Sequence, residues 1–305
     1  MQGKPQDCMT VGLIHFMAFP ETMGGDGPVL ETLGAVCRDD FFGAVEVTHV
    51  ADPKVRAEAV AMAREARMKV AFGAQPVLLS GGFNLNASDP AERRRAVDAA
   101  RRAVDEAAEW SACGVAVLSG KDPGPEARAA ETAYLTASLK EVCEHSRSHG
   151  GPPVLLEVFD RLDFGKNCLV GPTAEAAKVA RHVAGYFPPF GLMIDLSHLP
   201  LLGETPRQAV EDAGKFLKHV HIGNCVMRSP GHPAYGDNHP MFGIPEGENG
   251  AEELAAFLKA LLEAGFIGPG SANIVSFEVK PFGGQSSEEV LANARETLCA
   301  AWAAL

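Results

Sequence analysis

Four short apolar runs in the second half of this 305-residue chain each carry one residue able to hold a metal ion. PVLLEV ends near Glu157, GLMID ends at Asp195, LKHVHI carries His221 and NIVSFEVK carries Glu278. A strand filled with Val, Ile and Leu leaves a lone acid or imidazole unsolvated, so burial there is costly unless a partner is supplied. A divalent cation is the simplest partner for all four. Three carboxylates and one imidazole form a hard, mostly oxygen donor set. It suits Mn2+, Mg2+ or Co2+, with Zn2+ possible.

Other polar residues fall where the same site could use them. His198 stands three after Asp195 in DLSH, with Glu204 following. A histidine there can reach substrate oxygens, orient a ligand from behind or bond to backbone. His219 shares the strand face of His221 by the two-residue period but lies deeper, where a satisfied core histidine is the simpler reading. In the first half His15, Glu46 and His49 end strands and could line the facing wall. Gln75, Ser119 and Lys121 follow strands three and four, placed for substrate hydroxyls. Asp160 and Lys166 in VFDRLDFGK either meet substrate or form a surface ion pair. Arg228, His232, Tyr235, Asp237 and His239 are candidate substrate contacts from a Gly- and Pro-rich stretch. The Leu, Met and Phe residues along the helical stretches read as core fillers, and Glu92 to Arg95 as a solvated helix face.

The elements that must position these residues alternate. Short β-type runs at 11–16, 44–49, 69–74 and 114–119 precede the four already quoted. Between them lie Ala-, Glu- and Arg-rich stretches with apolar residues every three or four positions, the spacing of one buried helical face. Asp52-Pro53, Ser88-Asp89-Pro90, Pro172-Thr173 and Thr205-Pro206 mark helix starts, where a capping side chain or an N1 proline suits the first turn. Eight strands separated by helices predict a closed (β/α)8 TIM barrel of the α/β class, one domain over residues 1–305. No GxGxxG follows the first strand, which argues against an open dinucleotide-binding sheet. Residues 224–249 are too rich in Gly, Pro and Asn for a helix; beside His221 they read as a substrate-covering loop.

Composition narrows the function classes. With 46% hydrophobic and 22% charged residues the chain can fill a large core. A net charge of −12 opposes nucleic acid as the main partner, because phosphate neutralisation needs clustered Lys and Arg. Seven scattered cysteines without CxxC spacing read as reduced thiols in a cytoplasmic protein. No window approaches a membrane span and the N-terminus lacks a secretory pattern. A small-molecule substrate is expected, with a homo-oligomer left open.

The strand-end residues resemble those of the xylose-isomerase-like TIM barrels, which include sugar-phosphate isomerases and epimerases and ketose 3-epimerases. The resemblance spans the chain and rests on VLLEV with Glu157, DLSH with Asp195 and His198, HIGN with His221 and SFEVKP with Glu278. It implies that Glu157, Asp195, His221 and Glu278 bind one Mn2+-like ion and that Glu157 and Glu278 also move protons. An arginine soon after the metal histidine is another feature of the epimerases, and Arg228 is the candidate. The expected activity is a metal-dependent isomerisation or epimerisation of a sugar or sugar derivative. An ion on the carbonyl stabilises the ene-diolate left when a glutamate removes the adjacent proton. The same site could instead expel a β-substituent, making a lyase or dehydratase on an oxidised sugar, 3-oxo-glycoside or cyclitol.

Overall fold

The computed structural model describes residues 3–305. Eight strands, β1 (Thr10–Ile14), β2 (Ala44–Val47), β3 (Lys69–Gly73), β4 (Val115–Val117), β5 (Val154–Glu157), β6 (Gly191–Asp195), β7 (Leu217–Gly223) and β8 (Ile274–Glu278), close in sequence order into one barrel. Every neighbouring pair is parallel, from β1–β2 around to β8–β1. Almost every strand residue is buried, because helices cover the outside and side chains fill the inside, which is why the runs are continuously apolar.

The helices begin where their caps are. Asp52 accepts from the amides of Lys54 and Val55, Asp89 from Ala91 and Glu92, and Thr205 from Gln208, each with proline in the first turn. A helix at Val29–Cys37 and short ones at Gln75–Ser80 and His198–Leu202 add to those the periodicity predicts. β1 also stops at Ile14, earlier than its apolar run, and the chain turns into the short helix His15–Ala18.

Register sets the level of the site. Glu157 pairs with Met193, Asp195 with His221, and Glu278 with Gly223. From Glu157 to Asp195 the chain therefore climbs two residues, from Asp195 to His221 none, and from His221 to Glu278 two. That climb of four over three strand steps approximates the one residue per strand that a shear of about eight over eight strands requires of side chains at one height. The four residues thus form one layer at the carboxyl-terminal mouth.

Candidate metal centre

Glu157, Asp195, His221 and Glu278 each offer a ligand atom, all within 4.8 Å of one another. His221 organises the group. Its Nε2 lies 3.1 Å from both carboxylate oxygens of Glu46, so the ring proton on that side is accepted there and Nδ1 faces the other acids. Nδ1 approaches Glu278 Oε2 to 2.8 Å and Glu157 Oε1 to 3.5 Å. None of these three buried atoms has a hydrogen-bond partner. An imidazole nitrogen and two carboxylate oxygens converging without a shared hydrogen bond call for a cation. The donor set therefore fits a divalent ion.

The remaining oxygens are held from behind. Gln75 Nε2 donates to Glu157 Oε2 at 2.7 Å, which leaves Oε1 to the cluster. Both Asp195 oxygens accept from Ser197, one from its amide at 2.9 Å and the other from its hydroxyl. His219 Nε2 donates to Glu46 Oε1 at 2.6 Å, so Glu46 joins two imidazoles one layer below the mouth.

A second donor set adjoins the first. Asp195, His198 and His239 also lie within 4.8 Å of one another. Asp237 Oδ1 reaches His239 Nε2 at 2.9 Å and His198 Nε2 at 3.2 Å, and Lys166 Nζ lies 3.2 Å from Asp237 Oδ2. His198 Nδ1 donates to the Val158 carbonyl at 2.8 Å, which leaves Nε2 facing the acids.

The electrostatics follow from crowding in a dry place. Burial alone would raise the Glu46 carboxyl, but His219 and His221 outweigh it and hold it well below its usual range. Burial would lower His221, yet Glu46, Glu157 and Glu278 push it well above. His198 and His239 are raised against burial in the same way, chiefly by Asp237 and Asp195 for the first and Glu278 and Asp237 for the second. Asp195 goes up because burial dominates and Glu278 adds repulsion. Positive charge is wanted here, as protons or as metal.

Several of the expected contacts lie elsewhere. His15, no longer at a strand end, turns behind the barrel wall, where its Nε2 meets Thr32 Oγ1 at 2.8 Å. Arg228 points outward, its side chain 84% exposed and paired with Glu248. His232 closes its own turn by accepting from the Ala234 amide. Ser119 accepts from the Val170 amide and Lys121 reaches the Lys166 carbonyl, so both build loops. Asp160 neither meets the cavity nor pairs with lysine: it accepts from the amides of Leu162 and Lys166 and shapes the loop after β5. Glu204 caps the helix Thr173–Ala184.

Glu46, Lys166, Asp237, His239 and Gln75 do line the mouth cavity of about 630 Å3, whereas His198 stands behind it. The 224–249 segment contributes Asp237, Asn238 and His239 to the lining of that cavity. Asn224 ties its ends, accepting from both Cys225 and Asn249 amides through Oδ1. Gly236, at φ +90°, lets the chain pass where a Cβ would lie 2.4 Å from the Phe164 carbonyl oxygen, and so delivers Asp237. His239 holds φ +55°, a left-handed conformation that costs a non-glycine residue about 1 kcal/mol or more. The opposite wall was not foreseen: Met17, Met23, Val77 and Leu79 face the cavity, not the core.

A closed parallel barrel with side chains able to ligate a metal in one layer at its carboxyl-terminal mouth defines a class of (β/α)8 proteins. Within it, this chain belongs to the xylose isomerase-like TIM barrel family, which it matches over residues 37–299. Its fold is similar to that of an L-ribulose 3-epimerase, at 16% identity, covering 96% of this chain and 95% of that one, with a TM-score of 0.71. A D-psicose 3-epimerase from Clostridium cellulolyticum H10 is 18% identical over 97% of this chain and 96% of its own, TM-score 0.66. A 3-keto-D-glucoside 4-epimerase from E. coli is 16% identical over 95% and 98%, TM-score 0.64. No curated protein matches in sequence. Among the described residues, no helix is long and apolar enough to cross a membrane.

Proposed function

We propose that the protein is a divalent-metal-dependent epimerase or isomerase of a sugar or sugar derivative. The observation that carries this reading is the convergence of Glu157 Oε1, His221 Nδ1 and Glu278 Oε2, buried and without hydrogen-bond partners, in a layer completed by Asp195. The three similar structures quoted above are named as sugar epimerases, which supports carbohydrate as the substrate class.

Glu157, Asp195, His221 and Glu278 would hold the ion, with Mn2+ preferred by a set of three carboxylates and one imidazole. Bound there, a divalent cation polarises a carbonyl and stabilises the negative charge that develops when the neighbouring C–H is deprotonated. Glu157 and Glu278 stand on β5 and β8, at the two ends of the ligand arc. One takes the carbon-bound proton and the other returns it, at the opposite face for epimerisation or at the adjacent carbon for isomerisation. Gln75 keeps Glu157 oriented for this by holding its second oxygen. Glu46 keeps the His221 proton on Nε2, so that Nδ1 presents a lone pair. Lys166 and His239, which line the cavity, would donate to substrate oxygens.

A second reading, a two-ion centre, is favoured by the orphaned atoms of the adjoining set, His198 Nε2, His239 Nδ1 and both oxygens of Asp237. Metal analysis of the purified protein distinguishes one ion per chain from two.

The test is proton exchange into a panel of ketoses and oxo-glycosides in D2O, before and after chelation and Mn2+ return. Exchange should vanish on chelation and come back with the ion. Full exchange by the stripped protein would sink the proposal, and a product of lower mass would assign elimination instead.

A further inference from the structure

The mouth cavity is chemically divided. Most of its acids and imidazoles, and Lys166, come from β5 to β8 and the segments that follow them, with Glu46 and His49 added from β2 and just after it. Its other side is built from the end of β1 and the residues to 24, and from the helix Gln75–Ser80 after β3, and is mostly apolar: Met17, Met23, Pro76, Val77 and Leu79, with Gln75 and Ser80 as its polar members. Leu79 is 46% exposed, on a six-residue helix whose preceding residues line the same cavity. A free sugar is edged with hydroxyls, and each one desolvated against hydrocarbon without a partner is penalised. An apolar patch of this kind beside a polar site marks a place for apolar ligand surface. Two flexible thioethers suit a flat ring or an alkyl chain of variable shape. Size agrees: about 630 Å3 falls in the range of drug-sized ligands, roughly 300–1,000 Å3, and a lone monosaccharide fills only part of it.

We infer that the sugar received by this site carries an apolar substituent, an aryl aglycone, seated against Met17, Met23, Val77 and Leu79. The inference rests on the carbohydrate reading above. It has a consequence for the carbonyl. A glycosidic bond locks the ring, so the ketone beside the transferred proton must lie on a ring carbon. A dehydrogenase must form it upstream, passing the carbinol C–H hydride of a secondary alcohol to a nicotinamide or flavin and releasing the hydroxyl proton.

The test is calorimetric binding to the Mn2+-loaded full chain of two matched ring-ketone hexosides, one phenyl and one methyl, alongside D2O exchange into both. The phenyl glycoside should bind at least about tenfold more tightly, a difference of about 1.4 kcal/mol. In a Met23→Gln/Leu79→Gln variant, which changes only partly exposed positions, the ratio should fall to near unity. Equal affinities in the parent, or a ratio unmoved by the variant, overturn the inference and leave the carbohydrate reading standing. Binding of neither glycoside overturns the inference as well, and the carbohydrate reading falls only if the ketoses of the panel above are not exchanged either.

Discussion

Glu46 holds His221 by the ring nitrogen that faces away from Glu157 and Glu278, with both carboxylate oxygens 3.1 Å from Nε2. A carboxylate behind a histidine fixes its tautomer and strengthens the other nitrogen as a ligand. Glu46→Ala should therefore lower Mn2+ affinity about 10- to 100-fold, measured by competition with a metal-sensing chelator. Unaltered affinity would mean that His221 does not bind the ion through Nδ1.

Glu157 and Glu278 are assigned both to the ion and to the proton. Replacing either by Gln keeps an oxygen ligand and removes the base. At saturating Mn2+ each variant should exchange substrate protons about 10²- to 10⁴-fold more slowly. A defect cured by excess metal alone would reduce that residue to a ligand.

His15 governs acid sensitivity away from the site. Burial pushes its imidazole down from 6.5 to about 4, so the unfolded chain binds a proton there more readily than the folded one. The stabilisation from keeping it neutral is complete above 6.5, declines as pH falls, and is gone near 4. Its size is roughly 3 kcal/mol for a shift of this extent. Urea unfolding across that window should show His15→Phe with a shallower pH slope than the parent, and parallel slopes would refute the assignment.

Glu204 accepts from both the amide and the hydroxyl of Thr173, at 2.7 and 2.6 Å, at the start of a helix that has no cap of its own. Glu204→Ala should cost about 1–2 kcal/mol of stability, readable as a lowered Tm, with metal affinity as in the parent. An unchanged Tm would show the cap to be dispensable.

The barrel and its ligand layer were legible because polar residues ending apolar strands have one direction to point. Glu157, Asp195, His221 and Glu278 share that property, and strand register did the rest. His15 broke the pattern because an apolar run does not say where a strand gives way to a helical turn. Arg228 and His232 misled for a different reason: side chains on an irregular segment carry no periodicity from which direction can be read. The Asp237 and His239 placements depend on the backbone turn at Gly236 and the left-handed His239, which only coordinates reveal. The apolar wall was hidden because Met, Val and Leu beside a helix read as core whether they face protein or cavity.

Asn224 and Asn249 fasten the neck of the segment after β7 to each other and to the Leu196 and Gly223 carbonyls. A neck closed this way separates the segment's interior from the barrel beneath it. Residues such as Arg228 and His232, which hold only contacts within the segment, can be changed without loosening that neck. The segment is thus fastened at its base by two asparagines, independently of the contacts made at its exposed tip.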